Sequence, residues 1–526
     1  MKKNAARKLV VVSVLLLCVF MAGCGCGKKK KDPATQQVLK ISITPEPSPA
    51  PEPDKMDQKA VVKNGNITMV NEYLSTGTRQ TIKKPTAEQV RTPKMQKVRN
   101  RKPITAATQE IGRTLLKNKG KKPLELYLHI PFCVKKCDYC DFLSGPSGTE
   151  TRKAYTEALI REIQALPEHL DREVVSVFTG GGTPSLLDAS DMERIMAALR
   201  DRFEFSENAE ITIEANPGTL SSDKLEIYRA AGINRLSLGL QSADNRELQI
   251  LGRIHTYEEF LESYELARAA GFDNINIDLM SAIPEQTCEK WIHNLKTAAE
   301  LKPEHISAYS LIVEDGTPFA RRELKLPGED EEYQMYEDTA DILKRYGFEQ
   351  YEISNYAKNG YECRHNIGYW KRTEYLGLGL GSASLVDEEL WKCLCGEETS
   401  GSSEREGMDG TEYCSPEQRE YRFCNTRNLQ EYLESSRNPR IIRRDVAALS
   451  EKEQQEEFMF LGLRMTKGIS VQEFRGRFGK EIEEIYGKVL KKYEAMGFLE
   501  ESGGFWRFTR KGIHVSNHIL SDFLQD

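Results

Sequence analysis

What the 526-residue chain lacks narrows its function before any motif is read. It has no surplus of positive charge. Its 74 Lys and Arg stand against 80 Asp and Glu, a formal net charge of −6, which excludes a chain held to nucleic acid by phosphate contacts. It has no comfortable membrane span, because the apolar run from Leu9 to Ala22 is shorter than the roughly 20 residues a spanning helix needs. Its 12 cysteines are not spread as a disulfide framework, so a stapled secreted scaffold is disfavoured. Aromatic residues are nearly absent before Tyr127, which leaves the first quarter little to build a core from.

What is present begins with "MKKNAARKLVVVSVLLLCVFMAGC". Lys2, Lys3, Arg7 and Lys8 precede the apolar run, the layout of a signal peptide. "FMAGC" resembles a bacterial lipoprotein cleavage site with Cys24 as the lipidated residue, although Met21 stands where such sites usually carry Leu. A plain N-terminal anchor or a mis-assigned start is the alternative. Residues 25–120 read as a linker. "KKKKDPATQQ" is a charge run, "TPEPSPAPEPDK" an extended polyproline-like spacer, and "KKPTAEQVRTPKMQKVRNRKP" a solvated basic stretch suited to an anionic membrane surface.

From Leu124 short apolar runs recur: "LELYLHIPF", "VVSVFTGGGT", "EITIEANPG", "RLSLGLQS", "NINIDLMSAIP" and "HISAYSLIVE". Helical patterns separate them, and "AAG" before a strand reads as a glycine C-cap. The alternation predicts an α/β fold, a partial (β/α)6 TIM-type barrel over 121–390, with its site at the C-terminal ends of the strands. Residues 391–425 read as a low-complexity insertion. Residues 426–526 read as a small C-terminal helical domain of winged-helix type, a packing module more than a nucleic-acid reader.

The chemistry concentrates in "CVKKCDYCDF". Cys133, Cys137 and Cys140 offer three soft thiolate ligands. A structural zinc site needs a fourth ligand, and no Cys or His follows within ten residues of Cys140. His129 alternates with apolar neighbours in a strand. A [4Fe–4S] cluster held by three Cys instead leaves one iron open to a ligand that brings its own amino and carboxylate groups. "TGGGTPS" (residues 179–185) lets the backbone approach a ligand closely, and it lacks the Lys of a phosphate loop.

The C-x3-C-x2-C spacing, with aromatic Tyr139 before the third Cys, resembles the radical S-adenosylmethionine superfamily. Together with "FTGGGTPSLL", "IEANPGT", "RLSLGLQS", "LGRIH", "IDLMSAIPEQT" and "YEISNYAK", it is similar to the oxygen-independent coproporphyrinogen III oxidase-like family across residues 122–526, the insertion apart. The resemblance implies that Cys133, Cys137 and Cys140 bind the cluster. It implies that Tyr127, Gly181, Glu214, Gln241, Arg253 and Asp278 hold S-adenosylmethionine, with Gly182, Thr183 and Tyr139 at positions that line a second cofactor molecule in the oxidase. Glu214 is suited to the methionyl ammonium, Arg253 to the carboxylate and Asp278 to the ribose hydroxyls. For Glu214 and Asp278 a helix cap or surface ion pair is the competing reading, and for Gln241 a plain turn.

Within that family the oxidase usually carries a further Cys two places after the third, where this chain has Phe142. "HNIGYW" (His365–Trp370) instead matches the radical-type haem chaperone subgroup. That match implies haem contact at His365, with Tyr369 and Trp370 stacking on the porphyrin and Cys363 as a weaker ligand candidate. The bland alternative is that His365 bonds a loop group and Trp370 fills the core. The resemblance therefore implies a haem chaperone that passes haem to an acceptor, membrane respiratory proteins among the candidates. Porphyrinogen decarboxylation is the second reading and a non-enzymatic metal-binding lipoprotein the third. A cytoplasmic domain, tethered to the membrane through the N-terminal segment, reconciles the cluster with the export-like start.

Overall fold

In the computed structural model the described residues are 120–168, 170–396 and 419–524. The N-terminal segment, most of the linker and the middle of the expected insertion lie outside them. Six strands stand side by side in chain order, each parallel to the next: β1 (Lys122–Ile130), β2 (Arg172–Gly181), β3 (Glu204–Ala215), β4 (Arg235–Gln241), β5 (Ile275–Ser281) and β6 (His305–Ser310). Helices follow them as the alternation predicts: α1 (Thr149–Gln164), α2 (Ala189–Arg202), α3 (Ser222–Ala230), α4 (Asn245–Ile250), α5 (Tyr257–Ala269), α6 (Cys288–Glu300) and α7 (Glu329–Arg345). The two "AAG" stops place Gly232 and Gly271 in left-handed backbone just past α3 and α5.

The sheet does not close on itself. Beyond β6 it adds β8 (Asn355–Ala357) and then β7 (Glu349–Gln350), both antiparallel to their neighbours. Beyond β1 it adds β9 (Tyr375–Leu378) in parallel, then β10 (Ala383–Asp387), β11 (Glu420–Asn425) and β12 (Arg443–Leu449) antiparallel, for 12 strands in all. This extension was not legible in the sequence reading. Of the 391–425 segment expected as an insertion, residues 391–395 complete helix α9 (Glu388–Cys395) and 420–425 form β11. The C-terminal boundary expected at 426 is also displaced. α10 (Leu429–Ser435) and α11 (Pro439–Ile442) place Tyr432 and Ile442 in the barrel core, and β12 belongs to the main sheet.

Strand alternation sorts the side chains. Along β1, Leu124, Leu126, Leu128 and Ile130 join the main core. Glu125, Tyr127 and His129 take the opposite face, inside the barrel, and are buried as well. Both faces of a parallel sheet are dry, so those inner polar groups must find partners.

The C-terminal module opens at α12 (Glu451–Gly462), with Ser450 and Glu453 forming a capping box. α13 (Val471–Phe478), α14 (Ile482–Ala495) and the small sheet of β13 (Ile469–Ser470), β14 (Leu499–Ser502) and β15 (Phe505–Phe508) follow in winged-helix order, closed by α15 (Arg510–His514) and α16 (Ser516–Ser521). Phe458, Phe474, Tyr486, Leu490 and Trp506 fill its core. Trp370, at the end of α8 (Arg364–Trp370), inserts into that same core.

A buried ionic network ties the two bodies together. Arg372 donates to Glu457 of α12 at 3.0 Å and to Glu420 of β11 at 2.5 Å. Arg422 donates to both oxygens of Glu457 at 2.5 and 3.0 Å, and Arg477 pairs with Glu420. The Glu457 side chain is 7% exposed, and the two guanidiniums hold its carboxyl below the usual range against the cost of burial. Removing one member of such a network strands the others. Glu457→Ala is expected to cost about 3–5 kcal/mol in chemical unfolding. Breaking the exposed Arg475–Glu481 pair with Arg475→Ala should cost less than about 1 kcal/mol.

Candidate functional site

The loop after β1 carries the three cysteines and is folded back on itself. Cys133 N–H donates to Gly145 O at 3.1 Å, and Gly145 N–H donates to Pro131 O at 3.1 Å. Cys140 N–H closes a turn on Cys137 O at 3.2 Å. Asp138 anchors the loop to its surroundings. Its N–H reaches Leu251 O, its carbonyl accepts from Phe319 N–H, and its carboxylate takes Arg322 Nη1 at 2.7 Å.

Cys133, Cys137 and Cys140 are all free thiols and all line one cleft. The same cleft is lined by Tyr139, Gly181, Gly182, Thr183, Glu214, Gln241, Arg253 and Asp278. Eleven residues expected from the sequence are thus brought together at the C-terminal ends of β1 to β5, the site a partial barrel provides. Tyr127 is not among them. It is buried beneath the cleft, its hydroxyl 3.0 Å from His129 Nδ1, while His129 Nε2 lies 2.8 Å from Leu143 O. Burial drives the His129 pKa down to about 4, so the ring is neutral. The carbonyl can only accept, so Nε2 carries the proton and Nδ1 takes the tyrosine O–H. Tyr127 therefore acts through His129 on the cysteine loop. His129, weighed only as a stray metal ligand in the sequence, is the link.

The glycines have a reason other than ligand approach alone. A Cβ on Gly182 would stand 2.5 Å from Phe132 O, and one on Gly181 (φ +114) would stand 2.6 Å from the His129 ring. The end of β2 must be glycine to lie against the cysteine loop at all. That closeness lets Gly182 N–H reach Ile130 O at 2.8 Å and Thr183 N–H reach Phe132 O at 2.6 Å.

Three polar side chains complete the wall. Glu214 Oε2 accepts from Gly181 N–H at 3.1 Å. Burial, then the nearby Asp278, pushes its pKa up to about 8, so the carboxyl is protonated at neutral pH and poised for a cation. Asp278 accepts from Asn276 at 2.8 Å and Ser237 at 3.1 Å. Arg253 donates through Nη2 to Asn216 at 2.8 Å and to Gly239 O at 2.7 Å, and its Nη1 lies 3.7 Å from Cys137 Sγ. Its Nε is buried without a partner. Gln241 ends β4 with φ +69, a strained backbone held at the mouth of the cleft.

Asn216, Ser237 and Gly239 were missed by the sequence reading. Asn216 bridges Arg253 and Thr183, donating to the Thr183 hydroxyl at 2.7 Å. It stands two places after Glu214, at the spacing that returns a strand's side chains to one face, and that was its available signal.

The residue set fits an iron–sulfur cluster with a zwitterionic ligand. Among the described residues no group of three or more His, Cys, Asp or Glu side chains converges as a single-ion site. The three thiols border one space, as a cluster bound at three corners requires. Burial raises the Cys133 thiol and pushes Cys140 up to about 11, so thiolates form there only when metal replaces the protons. An acid for an ammonium, an orphaned guanidinium N–H and a second carboxylate border that space.

His365 is elsewhere. It is 1% exposed at the floor of the barrel, its Nδ1 2.8 Å from Ser176 Oγ and its ring stacked 5.2 Å from Phe178. Burial lowers its pKa to about 3, and its Nε2 has no partner. The expected haem contact is therefore separated from the cleft and closed to solvent. Cys363 is equally buried, its thiol 3.5 Å from Glu210.

The Radical SAM superfamily model matches residues 127–298, and the HemN C-terminal domain model matches residues 449–515. The heme chaperone HemW of Lactococcus lactis is 35% identical over 410 residues, covering 77% of this chain and 98% of the relative. That of Escherichia coli is 35% identical over 406 residues, covering 77% and 99%. The mitochondrial radical S-adenosyl methionine domain-containing protein 1 of Danio rerio is 32% identical, covering 76% and 86%. Among solved structures, coproporphyrinogen III oxidase (HemN) from Escherichia coli, described as a radical SAM enzyme, superposes with a TM-score of 0.62 at 23% identity, covering 79% of this chain and 93% of the oxidase, and shares the fold.

The Glu214 shift has a direct consequence for stability. The folded carboxyl keeps its proton to about pH 8, whereas the unfolded one releases it near 4.5. Its contribution is complete below the lower value and is lost as pH rises through the upper one. Glu214→Gln, which cannot ionise, should therefore gain stability relative to the parent as pH rises from about 5 to 8. Paired thermal unfolding across that range checks the trend, and a constant difference would refute the assignment.

Proposed function

This chain belongs to the HemW family of radical SAM proteins, and on that footing we propose that it is a haem chaperone, binding haem and passing it to an acceptor protein. The cleft carries the reading: three free thiols beside Glu214, Arg253 and Asp278, with Phe142 at its edge where the oxidase relatives carry another Cys. The oxidase resembles this chain in fold alone, so decarboxylation is the weaker reading.

The radical SAM family implies a [4Fe–4S] cluster and S-adenosylmethionine, which together supply one-electron reductive chemistry. In this proposal Cys133, Cys137 and Cys140 hold the cluster. Glu214 gives up its proton to receive the methionyl ammonium, Arg253 offers its spare Nε–H to the carboxylate, and Asp278 takes the ribose hydroxyls. Gly181 and Gln241 present backbone at the mouth. Tyr127 steadies the cysteine loop through His129. Gly182, Thr183 and Tyr139 line the remaining wall and are available to a second small molecule.

Haem is the cargo. His365 is neutral with an unpartnered Nε2, which can ligate iron in the tautomer that donates Nδ1–H to Ser176 Oγ. Reaching it requires α8 to part from the barrel floor, which also unseats Trp370 from the C-terminal core. Anaerobically reconstituted protein should bind haem and leave coproporphyrinogen III unchanged under reducing conditions. His365→Ala should weaken haem binding at least about tenfold, the worth of one good ligand or buried bond, with iron and sulfide content unchanged. Decarboxylated product would overturn the chaperone reading, and unaltered haem affinity would remove His365 from it.

The catalytic body is assigned to the cytoplasm, where a low-potential cluster is built and reduced, with residues 1–24 as a membrane tether. Among the described residues no helix is long and apolar enough to cross a membrane. The acceptor is a haem-taking protein, with membrane respiratory proteins suited to a tethered donor. Resistance of the folded body to protease added to intact spheroplasts is the expected result. Its digestion there would place it outside.

A further inference from the structure

One buried histidine joins the cleft to the HNIGYW helix. His305, at the start of β6, is fully buried. Its Nδ1 is 2.6 Å from Asn276 Oδ1, and its Nε2 is 2.9 Å from the Tyr351 hydroxyl. On the cleft side, Asn276 Nδ2 donates to Asp278 Oδ1 at 2.8 Å and to Ser237 Oγ at 2.8 Å. On the other side, the Tyr351 oxygen accepts from the N–H of Cys363, the residue that caps α8, at 3.3 Å.

The direction of every bond in this chain is fixed. The Asp278 carboxylate requires a donor, so the Asn276 nitrogen faces it and the Asn276 oxygen faces His305. Ser307 Oγ donates to that same oxygen at 3.1 Å. His305 must therefore carry its proton on Nδ1. Burial, then Arg235, holds its pKa well below the usual value, so the ring is neutral and Nε2 is a bare lone pair. Tyr351 must then donate to Nε2, which leaves its oxygen free to accept from Cys363. No link can be reversed without stranding a buried group.

We propose that His305 is a positioning residue for two sites at once: its Nδ1 proton aims the Asp278 carboxylate into the cleft through Asn276, and its Nε2 lone pair fixes the first turn of α8 through Tyr351. This rests on the reading of Asp278 as a cofactor residue. It does not require haem contact at His365.

Two substitutions separate the arms. An Asn amide can replace the Nδ1 donor but does not reach Tyr351, and a Gln carbonyl can replace the Nε2 acceptor but gives Asn276 no donor. In the anaerobically reconstituted full chain, His305→Gln should weaken S-adenosylmethionine binding about five- to tenfold, the worth of one buried hydrogen bond, with hydrogen exchange of the 363–370 amides unchanged. His305→Asn should leave that affinity within about twofold and speed exchange of those amides about tenfold. Any other pattern, including both variants losing both properties, overturns the proposal. Asp278→Ala separates the underlying reading. If it leaves cofactor affinity unchanged, both fall; if it weakens affinity and His305→Gln does not, only the His305 inference falls. Long-range 15N NMR of the parent protein needs no variant. It should find His305 neutral with its proton on Nδ1, and a proton on Nε2 would refute the chain.

Discussion

A polar side chain inside a parallel barrel must be given a partner or a proton, and the rest of this structure follows from that constraint. The inner faces of β1 to β6 carry buried Glu125, Ser176, Glu210, Arg235 and His305, with Glu214 and Asp278 partly buried at the cleft. Most are met by a neighbouring strand, a backbone amide or a proton, while the buried Arg235 guanidinium is balanced by nearby negative charge such as Glu210 and Asp278. Where two carboxyls come near one another, at Glu214 and Asp278, burial and mutual repulsion push Glu214 towards its neutral form. The wall of the cleft thus holds a carboxyl in its neutral form alongside the thiols, and the same group makes stability depend on pH.

The two ends of the barrel are linked through their side chains. The floor is plugged by α8, whose Arg364 and His365 backbone amides sit on the Glu210 carboxylate, whose His365 ring lies against Phe178, and whose Trp370 is buried in the winged-helix core. Arg372 follows immediately and enters the ionic network with Glu457 and Glu420. The C-terminal module is therefore fastened to the HNIGYW helix as well as to the sheet. Movement of that helix would therefore disturb the seating of the whole module.

Much of this was legible in the sequence because its signals are local. "LELYLHI" alternates, and the structure puts Leu124, Leu126, Leu128 and Ile130 on the core face and Glu125, Tyr127 and His129 on the inner one. The cysteine spacing, the glycine triplet and the carboxylates at strand ends all reach one cleft, because a parallel barrel gathers the ends of its strands. What was not legible depends on distant pairing. β9 to β12 join the sheet beside β1 from more than 200 residues away, and nothing in "EYRFCN" or "RRDVAAL" announces that neighbour. The same holds for the partner networks. Asn216, Asn276 and His305 look like ordinary strand residues until Arg253, Asp278 and Tyr351 are set beside them. Tyr127 and His365 show the reverse case, since their motifs marked them but Tyr127 lies beneath the cleft and His365 at the barrel floor, neither lining it.

The central claim is that three thiols leave one iron free for a ligand that Glu214 and Arg253 orient. Electron paramagnetic resonance of the reduced, anaerobically reconstituted protein tests it most directly. Iron and sulfide should be present in equal amounts, and adding S-adenosylmethionine should change the cluster spectrum. A spectrum indifferent to S-adenosylmethionine, or zinc in place of iron and sulfide, would contradict the account.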